Sequence, residues 1–283
     1  MQNEELGKVI YSSFAERPKH LDPAKAYSSN EYAIIAQVYE SLFQYHYLKK
    51  PYQLEPLLAS AMPSLSYYNK HGEKLPDDIA TADIAYTEYL ITIAENTQFQ
   101  PHPSFNVDLH GKLPEDWDGK SLYDLPLASR GLSSDDFIYQ IKRLADPSTQ
   151  SPIAGLMANY IVGFNEFAKN QSSLRKKTPG LTKAQRLQSI AMLGVNKIDQ
   201  QRFSIRIKGK YPQFINWLAM PFFSPMPWEA DEFYLNPALV SKNITLDWFP
   251  VGTGPYFLSE NNPNRRMVLS KNPNFHLEYY PTE

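Results

Sequence analysis

The 283-residue chain contains no cysteine. That excludes disulfides, thiolate nucleophiles and zinc–thiolate centres together, and leaves the chain tolerant of an oxidising compartment. An excess of positive charge is missing as well. The formal net charge is -2, where a partner of the nucleic-acid kind calls for a basic patch or stripe, so no nucleic acid is expected. No apolar run approaches the ~20 residues of a membrane span. The opening "MQNEELGKVIYSSF" has none of the basic, apolar and small-residue succession of a secretory signal. The expectation is a soluble chain whose export signal was removed or never existed. Catalytic signatures are equally scarce: no G-x-S-x-G nucleophile elbow occurs.

Tyrosine, phenylalanine and proline are plentiful, at 19, 15 and 23 residues. Hydrophobic residues make up 42% and charged residues 20%, a globular balance, and the length suits two lobes. Along the chain, "KVIYSSF" (8–14) reads as a short strand with Val9 and Tyr11 on one side. Asn30 reads as the cap of an amphipathic helix over 31–43, with Ile34, Ile35, Val38, Tyr39 and Leu42 at helical spacing. "LEPLLASAMPSLSY" is an extended connection and "YTEYLITIA" (86–94) a strand. Residues 96–130 read as a long surface excursion. A helix over 133–147 carries a capping box of Ser133 and Asp136, with Pro147 as its stop. Thr182 caps a further helix over 182–194 that Gly194 ends. "RFSIRIK" (202–208) alternates as a strand, "YPQFINWLAM" (211–220) returns to helical spacing, and "YFLS" and "MVLSK" are two late strands. Helices and strands interleave without a repeat, which favours α/β over α+β.

The stretch "VGTGPYFL" (251–258) invites a phosphate-loop reading. It lacks the lysine, the longer glycine run and the following helix that such a loop requires. Gly252 and Gly254 instead supply either positive φ or a close backbone approach, with Pro255 fixing the exit. His102 and His110 share one polar loop, where a metal pair and a solvated role are both open. Asp135 and Asp136 stand in the first turn of a helix and are explained by its dipole. Asp77 and Asp78 read as turn acids, "RKK" (175–177) as a solvated loop, and "NIT" (243–245) fits an N-glycosylation sequon.

Four stretches in order carry a resemblance: "LDPAKAYSSNEYAIIAQVYESLFQY" with "LEPLLASAMPSLSY", then "LSSDDFIYQIKRLADPSTQSP", then "VGTGPYFLSENNPNRRMVLSKNPNFH". "VNKIDQQRFSIRIKGKYPQFINWLAMPFFSPMP" (195–227) fits between the last two. Together they resemble the family 5 extracellular solute-binding proteins of ABC importers, the peptide- and oligopeptide-binding type. The segment "ENTQFQPHPSFNVDLHGKLPEDWDGKSLYDLP" departs from that pattern and indicates a divergent subgroup. The resemblance implies an α/β, periplasmic-binding-protein-like fold of the class II type. It implies a first lobe from residues 1–43 and 228–283 and an inserted lobe from 44–227. It also implies that the further C-terminal lobe is missing and that the chain is an N-terminal fragment, expected to bind weakly or not at all by itself.

In function, the resemblance implies an extracytoplasmic, periplasmic component that captures a small solute, peptide by default, between lobes and delivers it to an ABC permease of the inner membrane. No catalysis, cofactor or metal is implied. By local match, the ligand-binding residues are Tyr27, Ser28, Ser29, Ile153, Met220, Thr253 and Gly254. Ile153 stands where peptide binders often have a tyrosine, and so lacks its hydroxyl. Two other classes compete. A protein-interaction module or receptor subunit on the same fold would expose an apolar patch, and a peptide or glycan hydrolase would need a carboxylate pair that the sequence does not single out.

Overall fold

The computed structural model describes residues 9–14, 16–115, 117, 121–262 and 265–276. Its first regular element is helix α1, Ser29–Val38, followed by a hairpin of β1, Phe43–Tyr45, and β2, Leu54–Pro56. The central sheet then takes β3, Ser64–Tyr68, β4, Lys74–Leu75, and β5, Tyr86–Thr92. Helices α2, Ser134–Ala145, α3, Ala154–Tyr160, α4, Phe164–Lys177, and α5, Lys183–Ser189, intervene before β6, Val195–Lys197, and β7, Arg202–Lys208. Three short helices follow: α6, Phe214–Trp217, α7, Trp228–Phe233, and α8, Pro237–Ser241. A hairpin of β8, Tyr256–Asn262, and β9, Arg266–Lys271, comes last. The central sheet has the order β4-β3-β5-β7-β6 and every pairing in it is antiparallel.

Alternation decides which face of that sheet is inward. Thr87, Tyr89 and Ile91 of β5 are buried beside Phe203, Ile205 and Ile207 of β7, because successive strand side chains point to opposite faces. Helix α2 lies on this inner face, with Phe137 stacked on Phe203 at 5.4 Å between ring centroids. Its start is fixed as expected, by the reciprocal capping box of Ser133 and Asp136. The strands expected at 86–94 and 202–208 form as β5 and β7, and the two late strands pair as β8 and β9.

Several local expectations are corrected. Lys8 lies outside the described residues, and 9–14 form no strand, leaving Val9 and Tyr11 exposed. Helix α1 is capped by Ser28, not Asn30, in a capping box with Glu31, and it stops at Val38 rather than 43. Helix α5 ends at Ser189, before Gly194. That glycine serves elsewhere: a Cβ on it would lie 2.4 Å from the Val162 carbonyl oxygen. Residues 175–177 are not a loop but the last turn of α4, where positive charge meets the negative end of the helix dipole. The helical spacing of 211–220 yields one α-turn, after which the chain continues in tight turns to Pro221.

The stop of α1 and the glycine turn are one event. The Gly254 N–H donates to the Val38 carbonyl at 2.9 Å, satisfying an acceptor that the ending helix leaves free. Such contact requires bare backbone. A Cβ on Gly252 would meet the Val38 oxygen at 2.0 Å, and one on Gly254 would meet the Gln37 oxygen at 2.7 Å. Neither glycine has positive φ, so of the two roles open from sequence, close approach is the one used. Gly252→Ala is therefore expected to lower stability by about 3 kcal/mol in urea unfolding, at the upper end of overpacking costs. Gly155, inside α3 with nothing within 4 Å of its would-be Cβ, gives the comparison. There alanine should be neutral or gain up to ~1 kcal/mol. Equal midpoints for the two variants would contradict the close-approach role.

Candidate ligand-binding site

A cavity of about 770 Å³ opens between the start of α1 and the segment 211–222. Six rings line it: Tyr27, Tyr32, Tyr45, Tyr211, Trp217 and Phe222. Ser28, Gln213 and Asn216 add polar groups, and Ala26, Ile35, Ala219, Met220 and Pro221 fill the spaces between. Its size falls within the ~300–1,000 Å³ usual for small-ligand pockets, and its apolar lining with a few polar groups is the usual composition.

One wall is a loop held from three directions. Leu21 N–H and Asp22 N–H both donate to Asp247 Oδ1, at 2.8 and 3.0 Å. Asp22 Oδ1 accepts from Ala24 N–H at 3.0 Å, while the Asp22 carbonyl accepts from Lys25 and Ala26. The Glu31 carboxylate accepts from the backbone N–H groups of His20, Tyr27 and Ser28 at 2.9, 2.9 and 3.0 Å. Burial pushes that carboxyl up, but the donors at Ser28, Tyr27 and His20 outweigh it and bring it down to about 2. The Tyr27 backbone is thus fixed while its ring stays 76% exposed, 6.3 Å from the Phe222 ring.

The opposite wall is positioned from below. Phe214 is fully buried against Tyr89, 5.3 Å between centroids, which turns Gln213, Asn216 and Trp217 toward the cavity. The Tyr45 hydroxyl donates to Asn216 Oδ1 at 3.4 Å. Gln140 of α2 donates from Nε2 to the Phe222 carbonyl at 2.8 Å, and its Oε1 accepts from Arg143 Nη1 at 2.9 Å. The same guanidinium holds Asp22 through both oxygens, at 3.0 and 2.7 Å, and reaches Asp231 at 3.0 Å. Lys183 lies 3.4 Å from Asp231, so two acids face two bases. Burial raises the acids, yet Arg143 beside them holds both Asp22 and Asp231 below the ordinary carboxylate range. A single α2 face therefore anchors both cavity walls.

Of the residues expected from sequence, Tyr27, Ser28 and Met220 meet in this cavity. Ser29 is exposed as the first residue of α1 and is not part of the lining. Ile153 is buried at the start of α3, and Thr253 and Gly254 are buried in the turn against the end of α1. None of these four lines the cavity. Gln213, Asn216 and Trp217 were not singled out by sequence, although with Met220 they stand at i, i+3, i+4 and i+7, one face of a helical repeat. The histidine loop resolves into two separate roles. His102 is fully buried, its Nδ1 accepting from Ser104 N–H at 3.1 Å with Nε2 3.3 Å from the Tyr234 hydroxyl. His110 Nε2 contacts the Ser104 carbonyl at 2.6 Å. Among the described residues no group of three or more His, Cys, Asp or Glu could hold a metal ion. Asp136 is shared between its capping box and Arg130, and Asp135 pairs with Lys197 at 2.6 Å. No helix among the described residues is long and apolar enough to cross a membrane.

This architecture is shared with solved structures of known binding proteins. The fold matches the pheromone receptor PrgZ with a TM-score of 0.56 at 20% identity, over 92% of this chain and 38% of that one. The murein tripeptide-binding protein MppA of Escherichia coli matches with a TM-score of 0.57 at 20% identity, over 93% and 38%. Residues 130–281, more than half of the chain, match the profile of bacterial extracellular solute-binding proteins, family 5, middle segment. The chain belongs to that family. It is also similar to the periplasmic oligopeptide-binding proteins OppA of Salmonella typhimurium, 28% identical over 144 residues, and of Escherichia coli strain K12, 30% identical over 145. Each alignment takes in 51% of this chain and 23% of the relative, so the chain spans about a quarter of the length of the curated relatives it matches.

The buried histidine sets a pH response. Burial brings His102 down from 6.5 to about 3, so the folded ring stays neutral where the unfolded chain takes up a proton. Stability is then fully present above pH ~6.5 and falls below it, by up to ~1.4 kcal/mol per pH unit until about pH 3. Urea unfolding at pH 7, 6, 5 and 4 should show a steeper loss in the wild type than in His102→Gln. Parallel slopes would contradict a neutral buried His102.

Proposed function

We propose that the chain is the solute-capturing part of the extracytoplasmic binding component of an ABC importer, and that its solute is a peptide delivered to a membrane permease. The observation that carries this reading is the ring-lined cavity, which brings together Tyr27, Ser28 and Met220 from two distant segments. Family membership supports the importer role, and the peptide-binding names of PrgZ, MppA and OppA support the solute class. The work is binding without chemistry. Rings supply apolar contact, while Gln213 and Asn216 can hydrogen-bond main-chain amides whatever the side chains, which gives sequence-tolerant affinity. In this reading residues 1–43 and 228–283 belong to one lobe and 44–227 to a second. Solute shifts the balance toward the closed form through its greater affinity for that form. A periplasmic location follows from the importer role.

Trp217 lies in the cavity wall and reports occupancy. Adding a mixed pool of pentapeptides should change its emission in a saturable way, and Trp217→Phe should abolish the signal. Tyr27→Ala should weaken binding about tenfold, the typical cost of removing an aromatic anchor from a binding site. Both walls of the cavity lie within this chain, so weak binding rather than none is expected of it; unchanged emission together with no calorimetric heat from the same pool would overturn the peptide reading.

A further inference from the structure

Fourteen residues line the cavity, and none is Asp, Glu, Lys, Arg or His. Two acids close behind its walls are held elsewhere: Glu31 by three backbone donors, and Asp22 in its bidentate contact with Arg143. An entering charge therefore finds rings, methyl and methylene groups, and neutral amides. Even partial desolvation of an unpaired ion is unfavourable, whereas an apolar side chain gains from the same burial. Rings can attract a cation through their faces, but that attraction recovers only part of the lost hydration. An anion meets ring faces of its own sign and recovers less.

We propose that this cavity selects peptides by an uncharged aromatic or branched aliphatic side chain, and discriminates against both lysine and glutamate at the same position. This rests on the peptide reading given above and adds a selectivity that main-chain recognition does not supply. Ile35, Ala219, Met220 and Pro221 stand between the aromatics, and these apolar surfaces match an apolar side chain better than the hydroxyls that surround a sugar.

The test is calorimetric titration of the full chain with alanine pentapeptides carrying one Phe, Leu, Lys or Glu, placed at each of the five positions in turn. In the best register, Phe and Leu should bind at least tenfold more tightly than Lys and Glu. Asn216→Asp then puts one carboxylate into the exposed part of the wall. It should narrow the gap between Phe and Lys at least threefold and widen the gap between Phe and Glu, a change of sign that a loss of folding could not produce. Equal affinity for all four side chains would overturn the selectivity and leave the peptide reading standing, and so would tightest binding of Lys. Binding of maltotriose without binding of any pentapeptide, or no binding at all, would overturn both.

Discussion

Arg143 stands in the last turn of α2 with only 1% of its side chain exposed, and its guanidinium makes four hydrogen bonds, to Asp22, Asp231 and Gln140. Asp22 begins the loop that ends in Tyr27 and Ser28, and Gln140 passes the contact on to the Phe222 carbonyl. The two walls of the cavity come from segments nearly two hundred positions apart, yet both are referenced to this one guanidinium. A buried ion is tolerable here because the charges balance, two acids against Arg143 and Lys183, and because Tyr139 donates to Asp231 at 2.7 Å. Breaking such a cluster by removing one member costs about 3–5 kcal/mol, while well-packed apolar replacement of the whole is often neutral. The cluster therefore matters less for net stability than for geometry. A planar fork can hold the loop and the wall in only one relation.

A second constraint acts at the other end of α1. The glycine turn seats its backbone directly on Val38 and Gln37, ending the helix and leading into the β8–β9 hairpin. Glu31 then fixes the helix start from inside the capping box. Helix α1 is thus held at both termini by neighbours distant in sequence or by its own cap, and the exposed Tyr27 and Tyr32 rings extend from a backbone that has little freedom. Pre-organised rings lose little conformational entropy when a ligand arrives, which is the usual way such sites gain affinity.

Much of this was legible from residue patterns. The alternation in "YTEYLITIA" and "RFSIRIK" marked the two central strands, and the Ser133–Asp136 spacing marked the start of α2, since those signals are local. Tyr27, Ser28 and Met220 were reached by family resemblance, and the cavity brings them together. What escaped depends on tertiary contact. Helix α1 looks as if it runs five residues beyond Val38, because nothing in "EYAIIAQVYESLF" announces that a glycine turn two hundred residues on will take its last carbonyl. Gln213, Asn216 and Trp217 were passed over because the apolar Phe214 and Leu218 dominate that stretch. Only the burial of Phe214 reveals which face the others present. The histidine loop was ambiguous for the same reason: a buried neutral imidazole and a metal ligand share one sequence appearance.

In the proposed reading a peptide rests between the Tyr27 loop and the 211–222 wall. A pentapeptide carrying a benzophenone side chain, bound to the full chain and irradiated, would leave its mark on whatever it touches. Adducts are expected within 26–35 and 211–222, with Met220 and Trp217 prominent, and their loss when unlabelled peptide competes. Competable adducts confined to the outer face of the β3–β5–β7 sheet, or to the 46–53 hairpin tip, would contradict it.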